Sequence, residues 1–303
     1  MVTYLVTQAT GQQGQWTTTH LLAAGHEVHA LVRDPSKIPE VLQRPGVTLF
    51  KGESANFDDV FRAAQGCEAV YLNTFPIPGL EAQQAKAVVD ASKKAGLKSI
   101  VACTTMGTGD KALWDDDATK SSQLHDYFVS KSTVEDIVRA SGFEAWTILR
   151  PAFIHFDYFL PGSLGNFPRL HTHGELDHFY NPGVRMAQTD ASDIGKYAAA
   201  ALQNPTKFRG QEIELSGEYL TIKEIRDILE RVSGRNVTER RHSEEDEAVF
   251  GHRFQVWANA KDLTALVAAA QKAHAKFGIP LTPLEEALKR EKSRVVDSLA
   301  VLA

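Results

Sequence analysis

Tyr127 and Lys131 stand four residues apart in "HDYFVSKSTVEDIV", a stretch of helical pattern, so both side chains leave one face and can reach the same bound molecule. A phenol whose pKa is ordinarily about 10 becomes a usable acid when an ammonium group stabilises its phenolate. The chemistry on offer is proton donation to an oxygen that is gaining electrons. A second stretch, "VTQATGQQGQW" from Val6, has the pattern needed to hold the electron source. In a dinucleotide-binding turn the first glycine makes the tight bend, the second lets the backbone approach the pyrophosphate, and the third lets helix and strand pack closely. Gly11 and Gly14 supply the last two, and Gln8 stands where the first belongs. Because Gln8 carries a Cβ, it is expected to keep an ordinary negative φ. Thr7, Gln8, Thr10, Gln12 and Gln13 bring hydrogen-bonding groups, and the amides that open the following helix form an anion site.

"VRDPSK" at the end of the next strand identifies the nucleotide. A carboxylate there would accept the ribose hydroxyls of NAD, whereas Arg33 and Lys37 favour a 2′-phosphate, partly offset by Asp34. NADP(H) is the expected cofactor.

Other chemistries find less support. "HTHGELDH" brings His171, His173 and His178 close to Glu175 and Asp177, but without a zinc-enzyme spacing such as HExxH, so a loop over the site is expected and no metal. There is no GxSxG elbow and no Walker-type phosphate loop, and neither Cys67 nor Cys103 has an activating histidine nearby in sequence. His125 and His155 are fallback acids.

The elements that must position these groups alternate. "YLVTQ", "EVHALVR", "VTLFKG", "EAVYLNT", "SIVACTT" and "AWTILRP" read as strands separated by helix-length stretches that end in glycine. This is an α/β pattern, and it predicts a Rossmann-type doubly wound parallel sheet over residues 1–151. Residues 152–303 are expected to form a smaller, mixed, mostly helical substrate-binding region, with residues around 186–216 returning to the first domain. The segment after Pro151 is aromatic, rich in Gly, Pro and His, and aperiodic, and reads as a long capping region without further sheet. His155, Phe156, Tyr158 and Phe159 are its candidate substrate-binding residues, suited to an apolar or aromatic small molecule. Thr221 and Glu224 have capping-box spacing, and the charge block "TERRHSEEDEA" reads as a solvated turn.

Several of these pieces together resemble the NmrA-like family of atypical short-chain dehydrogenase/reductases: "VTQATGQQG", "LVRDPSK", "FKGESANFDDV", "SKSTVEDIVRASGFEAWTILRPAFI", "DASDIGKYAAAAL" and "EIELSGEYLTIKEI", in the family's order. The resemblance implies that Gly52, Glu53 and Ser54 lie near the adenine, Asn73 and Thr74 along the cofactor, and Pro151 and Phe153 beside the nicotinamide. It also implies that Lys131 holds the nicotinamide ribose, that Tyr127 donates the proton, and that Thr104 or Thr105 replaces the serine that polarises the substrate carbonyl. Gln8 departs from the family's usual glycine.

The expected activity is NADPH-dependent reduction of a small organic carbonyl, quinone or enone. A non-catalytic NADP-binding redox sensor that reports to a protein partner is the alternative, followed by a lyase, isomerase or cyclase of secondary metabolism. With 33 basic against 38 acidic residues and no basic stripe, direct nucleic-acid binding is not expected. Two cysteines among apolar neighbours, and no apolar stretch long enough to anchor the chain, fit a cytoplasmic protein with no membrane association.

Overall fold

The computed structural model describes residues 1–243 and 249–299. Twelve strands run along the described chain: β1 (Thr3–Val6), β2 (Glu27–Val32), β3 (Val47–Lys51), β4 (Ala69–Asn73), β5 (Ser99–Cys103), β6 (Ala145–Pro151), β7 (Phe153–Ile154), β8 (Glu175–His178), β9 (Arg185–Thr189), β10 (Gln211–Leu215), β11 (Glu218–Thr221) and β12 (Thr238–Arg241). The chain divides into two compact units. The first takes Met1–Gly109, Asp126–Pro151 and Ala191–Glu214; the second takes Asp110–His125, Ala152–Asp190 and the residues from Leu215 onward.

The first unit holds a seven-stranded sheet in the order β10-β6-β5-β4-β1-β2-β3. β1 to β6 pair in parallel. The order reverses beside β1, which opens a crevice at the carboxyl ends of β1 and β4, the usual place for a ligand in an open α/β sheet. Its strands read as unbroken apolar runs because helices bury both faces: Leu5, Val6, Val70, Tyr71, Leu72 and Ile100 are all fully buried. The glycines expected to stop helices, Gly25, Gly66, Gly96 and Gly142, all have positive φ. The helix Gln12–Ala23 behind the crevice crosses the helix Ala191–Gln203 closely, since a Cβ on Gly195 would lie 2.6 Å from the Trp16 carbonyl carbon. Only glycine permits that approach.

The compact units put residues 110–125 in the second and return to the first over Ala191–Glu214, within the expected 186–216. The second unit departs from the sequence expectation at two points. The segment after Pro151 does contain sheet: β7 joins β9 and β11 in a three-stranded sheet, and β8 pairs in parallel with β12. These strands are two to five residues long and pair segments remote in sequence, so no periodicity announces them. "TERR" of the charge block is strand β12 rather than a turn, while residues 244–248 of that block lie outside the described residues. The capping box is present, with the Glu224 amide donating to Thr221 Oγ1 at 3.3 Å and the Thr221 amide to Glu224 Oε2 at 2.7 Å. No helix among the described residues is long and apolar enough to cross a membrane.

Candidate functional site

At the carboxyl end of β1 the chain does what its sequence argued against. Gln8 adopts φ +49°, the left-handed conformation that glycine takes most readily, so the tight turn survives with a side chain on it. The Gly11 amide donates to the Gln8 carbonyl at 2.9 Å and closes the turn. Gly14 is indispensable there, because a Cβ would stand 2.6 Å from the Gln8 oxygen and 2.8 Å from the Ala9 Cα. The helix Gln12–Ala23 then opens with no side-chain cap and no acidic residue in its first turn, leaving its positive end for an anion. This uncapped, glycine-cradled turn fits a dinucleotide pyrophosphate.

Two predicted contacts here have structural duties. Thr7 Oγ1 donates toward the carbonyls of Tyr71 and Asn73 at 3.1 and 3.2 Å, holding the ends of β1 and β4 in line. Gln13 Oε1 accepts from the buried Tyr71 hydroxyl at 3.1 Å.

Arg33 projects exposed beyond β2. Asp34 turns its carboxylate onto the amide and hydroxyl of Ser36, a local turn that holds its pKa below the ordinary value, and pairs with Lys37 only at 3.8 Å. Both cations are therefore available to a phosphate. Lys51, opposite Val32 in register, adds a third positive charge that sequence reading missed. Gly52 has its own structural reason to be glycine: a Cβ would meet Asp59 Cβ at 2.5 Å, and Asp59 Oδ2 accepts the Glu53 amide at 3.1 Å. Ser54 is buried beside them.

The helix His125–Arg139 carries the candidate acid. Lys131 is 5% exposed, its Nζ lies 5.4 Å from the centre of the Tyr127 ring, and it donates to Glu81 Oε1 at 2.6 Å. Thr74 donates to the same oxygen at 2.6 Å, while Glu81 Oε2 is buried without a hydrogen-bond partner. Glu81 is the residue sequence reading missed here, since a lone acid on a helix gives no signal. Burial pushes the Tyr127 hydroxyl above its ordinary pKa, outweighing the ammonium of Lys131 and the hydrogen bond with Thr105. Lys131 itself is held above its ordinary value, the pull of burial being outweighed by Tyr127 and Glu81.

The structure separates the two candidate threonines. Thr105 meets Tyr127, whereas Thr104 Oγ1 donates to Glu135 Oε1 at 2.7 Å, in a second buried cluster. There Arg150 grips Glu135 through Nε at 2.8 Å and Nη2 at 2.7 Å, and reaches Glu212 and Glu214. Burial pushes Glu214 up to about 7 against the attraction of Arg150.

In the second unit the aromatic candidates are largely core. Tyr158 is 1% exposed, stacks on Phe167 at 5.6 Å and donates its hydroxyl to Gln188 at 3.2 Å. Phe159 is buried under the Arg294 guanidinium, 4.8 Å from its ring centre. Phe153 and Phe156 are half-buried, Phe153 against Tyr158 at 5.2 Å. His155 is buried with neither ring nitrogen hydrogen-bonded, and burial pulls its pKa down to about 4, so at neutral pH it has no proton to give as an imidazolium. His125 is held by Asp115 at 3.1 Å. Sequence reading overlooked Asp157, a half-buried acid beside Gly162 whose carboxyl is pushed up to about 7 by desolvation. His171 and His173 are exposed, whereas Asp177 meets His242 and His252.

Strand order, glycine-cradled turn and crevice together define the fold used by NAD(P)-binding oxidoreductases. The NmrA-like family model matches residues 2–293, and the chain belongs to that family. Quinone oxidoreductase 2 of Escherichia coli is 27% identical over 246 residues, covering 80% of this chain and 78% of that one. The nitrogen metabolite repression protein nmrA of Emericella nidulans is 27% identical, covering 78% of this chain and 67% of its own. Among solved structures, NmrA, a negative transcriptional regulator in complex with NAD, superposes with TM-score 0.75 at 21% identity, covering 99% of this chain and 98% of that one. The Escherichia coli quinone oxidoreductase QOR2 complexed with NADPH gives TM-score 0.70 at 22% identity, covering 95% and 99%.

Proposed function

We propose that this protein is an NADPH-dependent reductase of a small quinone or conjugated carbonyl. The observation that carries the reading is Gln8 at φ +49°, which keeps the pyrophosphate turn intact. Arg33 and Lys37 would take the 2′-phosphate, with Lys51 adding charge, and the NADPH bound in the Escherichia coli quinone oxidoreductase agrees with that choice. Bound NADPH supplies a hydride to the acceptor carbon. The electron pair displaced onto the carbonyl oxygen then needs a proton.

The residues favour an acceptor that demands little acid. Tyr127 keeps its proton at neutral pH and can donate a hydrogen bond, but a phenol with a raised pKa is a poor proton source. A quinone spreads the new charge into its ring and can finish protonation from water, whereas a simple ketone would form a strongly basic alkoxide. Lys131, held by Glu81, would orient the ribose with its remaining N–H groups. Phe75 and Ile77, about half exposed just beyond β4, offer apolar surface to a ring.

A second reading has its own observation. Lys131 already committed to Glu81, with a Tyr127 that resists ionisation, also suits a redox sensor that binds NADP(H) without turnover.

Calorimetric titration of cofactor-stripped protein with NADPH, NADP and NADH tests the shared premise, and NADPH oxidation by benzoquinones, naphthoquinones and conjugated aldehydes separates the readings. Preference for the phosphorylated forms together with quinone turnover is expected. Binding without turnover, accompanied by a protein partner that distinguishes NADP from NADPH, would favour the sensor. Failure to bind any of the three nucleotides would overturn both.

A further inference from the structure

We propose that Asp177, His242 and His252 form a buried site for a divalent metal ion of the zinc type within the second unit. Asp177 lies on β8, His242 directly follows β12, and His252 lies in the helix Phe250–Ala258. Their ligand atoms all fall within 4.8 Å of one another, and all three residues are buried. His242 Nε2 is 3.1 Å and His252 Nε2 3.8 Å from Asp177 Oδ2. Donors about 2.0–2.1 Å from a tetrahedral ion stand about 3.4 Å apart, so small side-chain shifts would close the set.

The surroundings hold these groups in place. The backbone pairing that sets His242 beside β8 includes its amide donating to the His178 carbonyl at 2.7 Å. Asp177 Oδ1 accepts the Arg169 amide at 3.0 Å, which orients the carboxylate and leaves Oδ2 toward the imidazoles. Phe179 packs against both rings, 4.9 Å from His242 and 5.0 Å from His252, and fixes their planes in an apolar shell. His178 stays outside the set, its Nδ1 accepting from the Tyr180 amide at 3.1 Å.

His252 is the second, independent pointer. It is 1% exposed, and its Nε2, aimed at Asp177, has no hydrogen-bond partner. Its Nδ1 accepts from the Val249 amide at a long 3.3 Å. A metal at Nε2 would move the ring proton to Nδ1 and displace that contact, so binding is coupled to the first turn of the helix Phe250–Ala258. Among the described residues the set is two imidazoles and one carboxylate with no thiolate, which selects zinc-like ions over magnesium or calcium.

The test uses the full-length chain, treated with chelator and dialysed, then titrated with zinc chloride by calorimetry and with cobalt(II) by visible absorption. One equivalent should bind and raise Tm. Asp177→Asn and His252→Gln should each weaken binding at least ~tenfold, and the control His171→Ala/His173→Ala should leave it unchanged. Zinc binding of equal strength in Asp177→Asn and His252→Gln, or its loss in the control, would overturn the proposal. Should the two ligand variants not fold, cobalt in the wild-type chain decides: intense tetrahedral bands support the site, and the pale spectrum of hydrated cobalt refutes it.

Discussion

Lys131 and Glu135 sit one turn apart on the helix His125–Arg139, and each ends in a buried ion pair, but the two pairs are built differently. Glu135 is saturated: both oxygens take Arg150, Oε1 also takes Thr104, and Oε2 also takes Arg139. Glu81, the partner of Lys131, receives both of its hydrogen bonds on one oxygen and leaves the other bare. A saturated pair locks β5, β6 and the helix together. An unsaturated pair at the end of the crevice can rearrange when a ligand offers new partners. One helix thus carries an anchor on one turn and an adjustable contact on the next.

The sharpest way to break this distinction is Arg150→Met. Removing the cation strands Glu214 and leaves Glu135 and Glu212 to share Arg139, and the loss should be about 3–5 kcal/mol, read as a large fall in Tm or insoluble protein. The double variant Lys131→Met/Glu81→Gln should fold but bind NADPH at least ~tenfold more weakly by calorimetry. If it costs as much stability as Arg150→Met, both pairs are anchors. Arg33→Ala/Lys37→Ala should weaken NADPH by about tenfold while sparing NADH, since the lost contacts are exposed and screened by salt.

Asp157 extends the comparison to a half-buried acid held up by desolvation alone. Its folded pKa, about 7, lies above the unfolded value of about 4, so the group favours the fold at low pH, and that contribution is lost as pH rises from about 4 through 7. Asp157→Asn should therefore raise Tm by roughly 2–5 °C at pH 8 and change it little at pH 4. Tyr127→Phe should have the smallest effect, lowering quinone turnover by no more than ~threefold. A drop of about a hundredfold or more would restore Tyr127 as the obligatory acid.

The seven-stranded sheet was legible because buried parallel strands must be written as apolar runs, and each of the expected runs became one of its strands. The glycine stops and the Thr221 cap were legible because they act within a few residues. Glu81 and Glu135 were not, since what makes an acid important there is a cation 50 or 15 residues away in sequence. The short strands of the second unit hid for the same reason. At Gln8 the general preference of side chains for negative φ misled, because the surrounding turn overrode it.

That left-handed glutamine has a kinetic consequence. A turn held in its ligand-ready bend by the closing Gly11 hydrogen bond has no conformational search to complete when a nucleotide arrives. Association should then run at the pace of diffusion and orientation, and differences in affinity between nucleotides should appear almost wholly as differences in residence time.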